Sequence, residues 1–145
     1  MSSVPSFVPL LADWQSSRHA IAGVRTAVFV REQGIPAALE WDGQDPACSH
    51  VLVVDDCGNA IGTGRLQPDG RIGRMAVLPG WRRRGIGSAI LQRLIERAAE
   101  LGMQELYLHA QLASVDFYRD AGFCQQGSVF EEAGIPHLCM IRRAG

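Results

Sequence analysis

The run Arg82-Arg83-Arg84-Gly85-Ile86-Gly87-Ser88 gathers three cationic side chains and two glycines into seven residues. Ile72, Met75, Ala76, Val77 and Leu78 precede it, closed by Pro79-Gly80, and predict a mostly buried strand over Arg71 to Leu78. Beyond it Ile86, Ile90, Leu94, Ile95, Ala98 and Leu101 recur at helical spacing. Gln92, Arg93, Glu96, Arg97 and Glu100 fill the opposite side, and Gly102 suits the position after the helix. The loop therefore sits where a strand hands over to a helix N-terminus. The first N–H groups of a helix have no internal partner and lie at the positive end of its dipole, and glycines let an anion approach them closely. With the arginines as added donors, the ligand that fits is a phosphate or pyrophosphate.

What is missing narrows the ligand. A Walker-type loop needs a lysine after its last glycine, and every cationic residue of this chain is arginine. A dinucleotide fingerprint needs Gly or Ala three residues after the second glycine, where this chain has Ile90, and the unit lies mid-chain. The chain of 145 residues has the size of one domain, 1–145, and at 47% apolar and 20% charged residues it is neither disordered nor membranous in composition. A net charge of −1 argues against sequence-independent nucleic-acid binding, which rests on a broad basic field. Cys48, Cys57, Cys124 and Cys139 show no C-x-x-C spacing, and the start MSSVPSFVPL lacks the marks of a signal peptide, so reduced thiols in the cytoplasm are expected.

Around the central unit, Phe7 to Trp14 reads as a first strand. Ser16 or Ser17 can cap a helix with Ile21, Val24, Ala27 and Val28 on one face, ended by Gly34 and Pro36. Ile35 to Ser49 has little periodicity and collects Glu40, Trp41, Asp42 and Asp45, as a long acidic loop with room for a helical turn. His50 to Val54 and Ala60 to Leu66 flank a turn over residues 55–59 as a hairpin, and Pro68-Asp69-Gly70 returns the chain to the strand at Arg71. Glu105 to Ala110 should be a parallel neighbour of that strand, joined to it through the helix. Ser114 can cap a short helix bearing Val115, Phe117, Tyr118 and Ala121, stopped by Gly122. Phe123 to Phe130 and His137 to Ile141 close the order as a strand pair. The expectation is an α/β domain with a mixed sheet.

Arg82-x-x-Gly85-x-Gly87, preceded by Val77-x-Pro79, resembles the pyrophosphate loop of the GNAT superfamily of acyl-CoA-dependent acyltransferases. The stretch SVDFYRDAGF, residues 114–123, looks like the family's late helix, and VFVREQGIP, HAQ at 109–111 and GIPH at 134–137 are similar to its small bacterial ElaA/YjcF-like branch. Gln111 and Ser114 depart from the Asn and Ala that many members carry there. The resemblance implies a mostly antiparallel twisted sheet with a central parallel strand pair, flanked by helices. It also implies acetyl-CoA as co-substrate, with no metal, held by Met75, Ala76, Val77 and by Arg82, Arg83, Arg84, Gly85, Ile86, Gly87 and Ser88. Tyr118 falls where many members protonate the departing thiolate.

Acyl transfer to an amine requires a neutral nucleophile, stabilisation of the oxyanion and a proton for the thiolate. The resemblance suggests that a bulge frees backbone N–H groups over Met75 to Val77 for the oxyanion. A phenol, titrating near ~10, can serve the thiolate. On the acceptor side Glu32, Glu40, Asp42, His109 and His137 are each eligible by residue type, and a water chain can replace a dedicated base. Glu40, Asp42 and Asp45 with Glu131 and Glu132 are expected to form a negative rim that favours a cationic small-molecule or peptide amine. A non-catalytic acyl-CoA-binding module keeps the same loop and stays open here, as do a monomer and a homodimer; nucleic acid and membrane are not expected partners.

Overall fold

A computed structural model of the chain describes residues 7–144, so the first six residues of the MSSVPSFVPL stretch lie outside it. The first strand is shorter than expected, β1 at Leu10–Ala12, because the next residue already belongs to a helix cap. Asp13, rather than Ser16 or Ser17, caps helix α1, Trp14–Arg25, its carboxylate accepting from the Ser16 N–H at 3.0 Å. From Thr26 to Glu32 the helix widens to a π form, with the Gln33 N–H donating to Val28 O at 3.0 Å. Such widened turns occur often at functional sites. The acidic segment forms one short helix, α2 at Ala37–Glu40, and a 3₁₀ turn at Asp45–Ala47.

Strands β2, Ser49–Val54, β3, Ala60–Leu66, and β4, Ile72–Val77, pair antiparallel as expected, with β1 on the outer edge of β2. Helix α3, Ile86–Glu100, lies on this sheet and buries Ile86, Ile90, Leu91, Leu94, Ile95 and Ala98 against it. Each of the five isoleucine and leucine side chains contributes about 1.5–3 kcal/mol. The helix comes so close to β3 that an added Cβ at Gly64 would stand 2.6 Å from Ile90 Cγ2 and 2.9 Å from Leu94 Cδ1. Gly64→Ala should therefore cost about 1–3 kcal/mol through overpacking. Urea denaturation checks this, and an unchanged midpoint would show that α3 can shift to make room.

After α3 come β5, Glu105–Gln111, helix α4, Val115–Asp120, and the hairpin of β6, Cys124–Glu132, with β7, Ile135–Arg143. Ser114 holds the cap position of α4 but makes no side-chain capping bond. These strands form a second antiparallel sheet ordered β5-β7-β6. The α/β fold with mostly antiparallel strands between helices is as expected, but the central parallel pair shrinks to one bridge. Arg71 faces Tyr107, and the Tyr107 N–H donates to Gly70 O at 3.1 Å. The reason lies in β4. Its register against β3 slips between Thr63 and Arg65, and Arg74 takes the left-handed φ of 49°. A bulge of this kind bends its strand and increases the local twist, which carries β4 away from β5 and opens a gap between the sheets. Among the described residues, no helix is long and apolar enough to cross a membrane.

Candidate active site

Two cavities occupy the gap and its flank. The larger, about 500 Å³, is lined by Met75, Ala76 and Val77 of β4, by Arg82, Arg83, Gly85, Ile86, Gly87 and Ser88 of the loop, and by Phe117 and Tyr118 of α4. The sequence-predicted loop residues thus meet at one surface, except Arg84, whose guanidinium stacks 4.9 Å from the Trp81 ring centroid. Gly85, the N-cap of α3, takes φ 82° and Arg83 takes φ 64°, so the chain turns left-handed twice before the helix begins. A Cβ at Gly85 would meet nothing within 4 Å and one at Gly87 only the Phe117 ring, at 3.7 Å. Open space over the unpartnered first N–H groups of α3 is what a pyrophosphate needs. Arg82 is already engaged: its Nε donates to Val77 O at 2.9 Å, and its two terminal nitrogens grip both Glu32 oxygens at 2.6 Å. That pair holds the Glu32 carboxyl below its ordinary value, mainly through the hydrogen bond from Arg82.

The smaller cavity, about 190 Å³, lies toward the start of β4 among Phe29, Gln33, Glu40, Arg71, Arg74, His109, Glu132 and His137. Tyr118, Met75, Gln33 and Ser114 line both cavities, so they stand at the junction. The half-buried Tyr118 ring packs edge-on to Phe117 and Phe123, and among the described residues its hydroxyl reaches only the Met75 thioether, at 3.8 Å. A thioether is a weak acceptor, so this O–H has no strong protein partner to release. Burial pushes the phenol up to about 12.

The acidic segment departs from the expected open rim. Glu40, 3% exposed, accepts from Arg25 Nε at 2.6 Å, with Arg74 at 3.3 Å, and Asp45 accepts from Arg25 at 2.7 Å and Arg65 at 3.1 Å. Asp42 lies 2.8 Å from Arg65 and 3.3 Å from Arg74. Buried carboxylates such as Glu40 and Asp45 must be paired, and the same set of three arginines also pairs the exposed Asp42. Of these three acids only Glu40 borders the smaller cavity, and it does so as part of the network. The other ionisable group of the smaller cavity centres on Glu132. Its Oε1 lies 2.9 Å from His109 Nδ1 and 3.4 Å from Arg71, and its Oε2 is 3.8 Å from His137 Nε2. Partial burial raises the Glu132 carboxyl, but the His109 hydrogen bond and the nearby Arg71 charge outweigh it and hold the group below its ordinary value. His137 Nδ1 is tied to Ile135 O at 2.6 Å. Among the described residues, no group of three or more His, Cys, Asp or Glu side chains is arranged to hold a metal ion.

Residues 18–144 match the family model of the acetyltransferase (GNAT) domain. The chain belongs to the GNAT family. It is 36% identical over 123 residues to YjcF of Bacillus subtilis, an N-acetyltransferase by name, covering 82% of this chain and 87% of that one. Among solved structures it superposes on Escherichia coli ElaA with a TM-score of 0.85 at 26% identity, covering 95% of this chain and 100% of the other. For an acyl-CoA N-acyltransferase from Pseudomonas aeruginosa the TM-score is 0.83 at 29% identity, with 94% and 99% covered. The fold and family are those of enzymes that transfer an acyl group from acyl-CoA.

Sequence reasoning passed over two arginines of this GNAT site. Arg71 and Arg74 line the smaller cavity from the start of β4 and from its bulge. The signal was available: charged residues in an otherwise apolar strand must find partners, and the supply was the acids of residues 40–45 for Arg74 and Glu132 for Arg71. The cleft-lining role of Phe29 and Gln33 follows from the π turn, a departure from helical spacing that periodicity does not reveal.

Proposed function

We propose that the protein is an acetyl-CoA-dependent N-acetyltransferase that passes the acetyl group directly to a primary amine of a small molecule or peptide, through a tetrahedral intermediate. The observation that carries this is the position of Tyr118 and Met75 at the junction of the two cavities, one floored by the phosphate-type loop and the other by ionisable side chains. In this reading the N–H groups of Gly85 to Ser88 hold the pyrophosphate, with Arg82, Arg83 and Arg84 supplying charge around it. Arg82 then exchanges Glu32 for phosphate oxygens. Backbone N–H groups over Met75 to Val77, next to the bulge at Arg74, face the developing oxyanion. Tyr118 gives its proton to the departing thiolate, and the high position of its phenol keeps that proton in place until sulfur leaves. His109 and His137 with Glu132 take the acceptor end, while Glu40 and Asp42 shape it through their arginine partners. The cytoplasm suits four free thiols.

Gly87→Val tests the loop. The new side chain would project into the space in front of the α3 N-terminus, so acetyl-CoA binding should fall by 100-fold or more, about 2.7 kcal/mol, with the melting temperature little changed. Gly85→Val should act likewise, with added strain from its left-handed backbone. Calorimetric titration checks both, and unchanged affinity in the pair would move the pyrophosphate elsewhere.

A further inference from the structure

We propose that His109 is the base that removes the proton from the acceptor ammonium, with Glu132 as the positioning residue that fixes its tautomer; this rests on the acyltransfer reading above. β5 meets β4 only at the Arg71–Tyr107 bridge, and His109 lies two residues further along β5, where the sheets have parted. It lines the same narrow cavity as Tyr118 and Met75. Its ring is held edge-on to Phe130, with centroids 5.0 Å apart, and its Nδ1 lies 2.9 Å from Glu132 Oε1.

Hydrogen-bond chemistry decides which nitrogen is basic. An ionised carboxylate has no proton to give, so a 2.9 Å contact requires the hydrogen to sit on Nδ1. In the neutral ring the lone pair then belongs to Nε2, which makes no hydrogen bond to protein among the described residues. Arg71 Nη2 also stands 3.1 Å from Nδ1, but with that nitrogen already a donor, its hydrogen turns to Glu132 at 3.4 Å. Glu132 thus receives from two sides and cannot rotate away without losing both. Other ionisable groups face the ring from each neighbouring element. Tyr107, bonded to Asp69, stands beside it on β5, His137 and Cys139 lie on β7, and Arg74 and Tyr118 share the cleft.

The protons balance. The ammonium gives one proton to Nε2, which passes it to solvent. The freed amine adds to the thioester carbonyl to form the C–N bond, and the tetrahedral intermediate then collapses with cleavage of the C–S bond. Tyr118 protonates sulfur, and the second proton lost from nitrogen restores the phenol, so one proton is released per turnover.

The test compares wild type, His109→Gln and Glu132→Gln by thiol release with the best amine of a panel, across pH, alongside acetyl-CoA affinity. ¹⁵N imidazole NMR of the ligand-free protein adds the tautomer. We expect His109→Gln to lower kcat/KM for the amine by about 100-fold or more at neutral pH, with acetyl-CoA affinity unchanged. The deficit should shrink as pH rises and the amine deprotonates itself, and added imidazole should restore part of the rate to His109→Ala. Glu132→Gln should cost less and should convert the Nδ1–H signal of His109 to a mixture. A wild type that releases no thiol with any amine overturns the acyltransfer reading and this proposal with it. An active wild type matched by His109→Gln across pH, or an Nε2–H tautomer in the wild type, overturns the proposal alone.

Discussion

Tyr118→Phe is expected to lower kcat by about 10²- to 10⁴-fold, or roughly 2.7–5.4 kcal/mol of barrier, with acetyl-CoA affinity almost unchanged. The substitution removes one oxygen and leaves the ring against Phe117 and Phe123, so packing and cavity shape persist. The hydroxyl's one hydrogen-bond contact among the described residues, to the Met75 thioether at 3.8 Å, is too weak for its loss to matter structurally. The pH dependence follows with a definite sign. Burial disfavours the phenolate and pushes the group up to about 12, so the proposed acid keeps its proton throughout the working range. The rate should therefore show no alkaline fall from this group until pH nears that value. Steady-state kinetics of both proteins check it. A rise in KM with kcat intact would make Tyr118 a binding residue, and an alkaline limb near the ordinary phenol value of ~10, absent in the variant, would show a solvated hydroxyl.

Arg25→Ala should destabilise the fold by about 3–5 kcal/mol, the cost of breaking a buried ionic cluster. Arg25 is fully buried and ties Glu40 and Asp45, one at either end of the acidic segment. Without it Glu40 keeps only Arg74, at 3.3 Å, and Asp45 keeps Arg65, at 3.1 Å. Acid should have a related effect. Burial raises the Asp45 carboxyl, but Arg25 and Arg65 outweigh that and hold it below its ordinary value, and the Arg65 hydrogen bond holds Asp42 well below. A depressed native value means the unfolded chain takes up protons first. This part of the stability is therefore present above the usual aspartate value of ~3.9 and fades as pH falls through and below it. Chemical denaturation at neutral and acid pH measures both effects. An Arg25→Ala midpoint equal to wild type would show that the remaining arginines suffice.

The same cluster shows where sequence and structure part company. The strand, glycine turn and helix from Ile72 to Glu100 was legible because each of its signals is local: apolar run, left-handed glycine, helical spacing. Asp13 and Ser16 are both good caps, and which one starts α1 depended on where β1 had to stop. Glu40, Asp42 and Asp45 looked like a solvated rim because their partners lie 15 to 34 residues away, at Arg25, Arg65 and Arg74. The gap between β4 and β5 was hidden for a similar reason. It depends on a bulge at Arg74, whose left-handed φ no residue-type preference foretells for an arginine. Gly64 opposite the bulge was the available hint, since a glycine inside a strand often marks such a site. Glu132 was visible as an acid, but its grip on His109 is a contact between β6 and β5 across β7.

The proposed acetyl transfer takes place at the junction marked by Tyr118. It is tested most directly by mixing the wild-type protein with acetyl-CoA and a panel of primary amines, following free CoA thiol and N-acetylated product together. The expected result is thiol release that depends on the amine, matches product one for one, and falls by at least about 10² in Tyr118→Phe. Saturable acetyl-CoA binding with the same thiol release in the presence and absence of every amine would contradict it, and would leave a protein that binds acyl-CoA without passing the acyl group on.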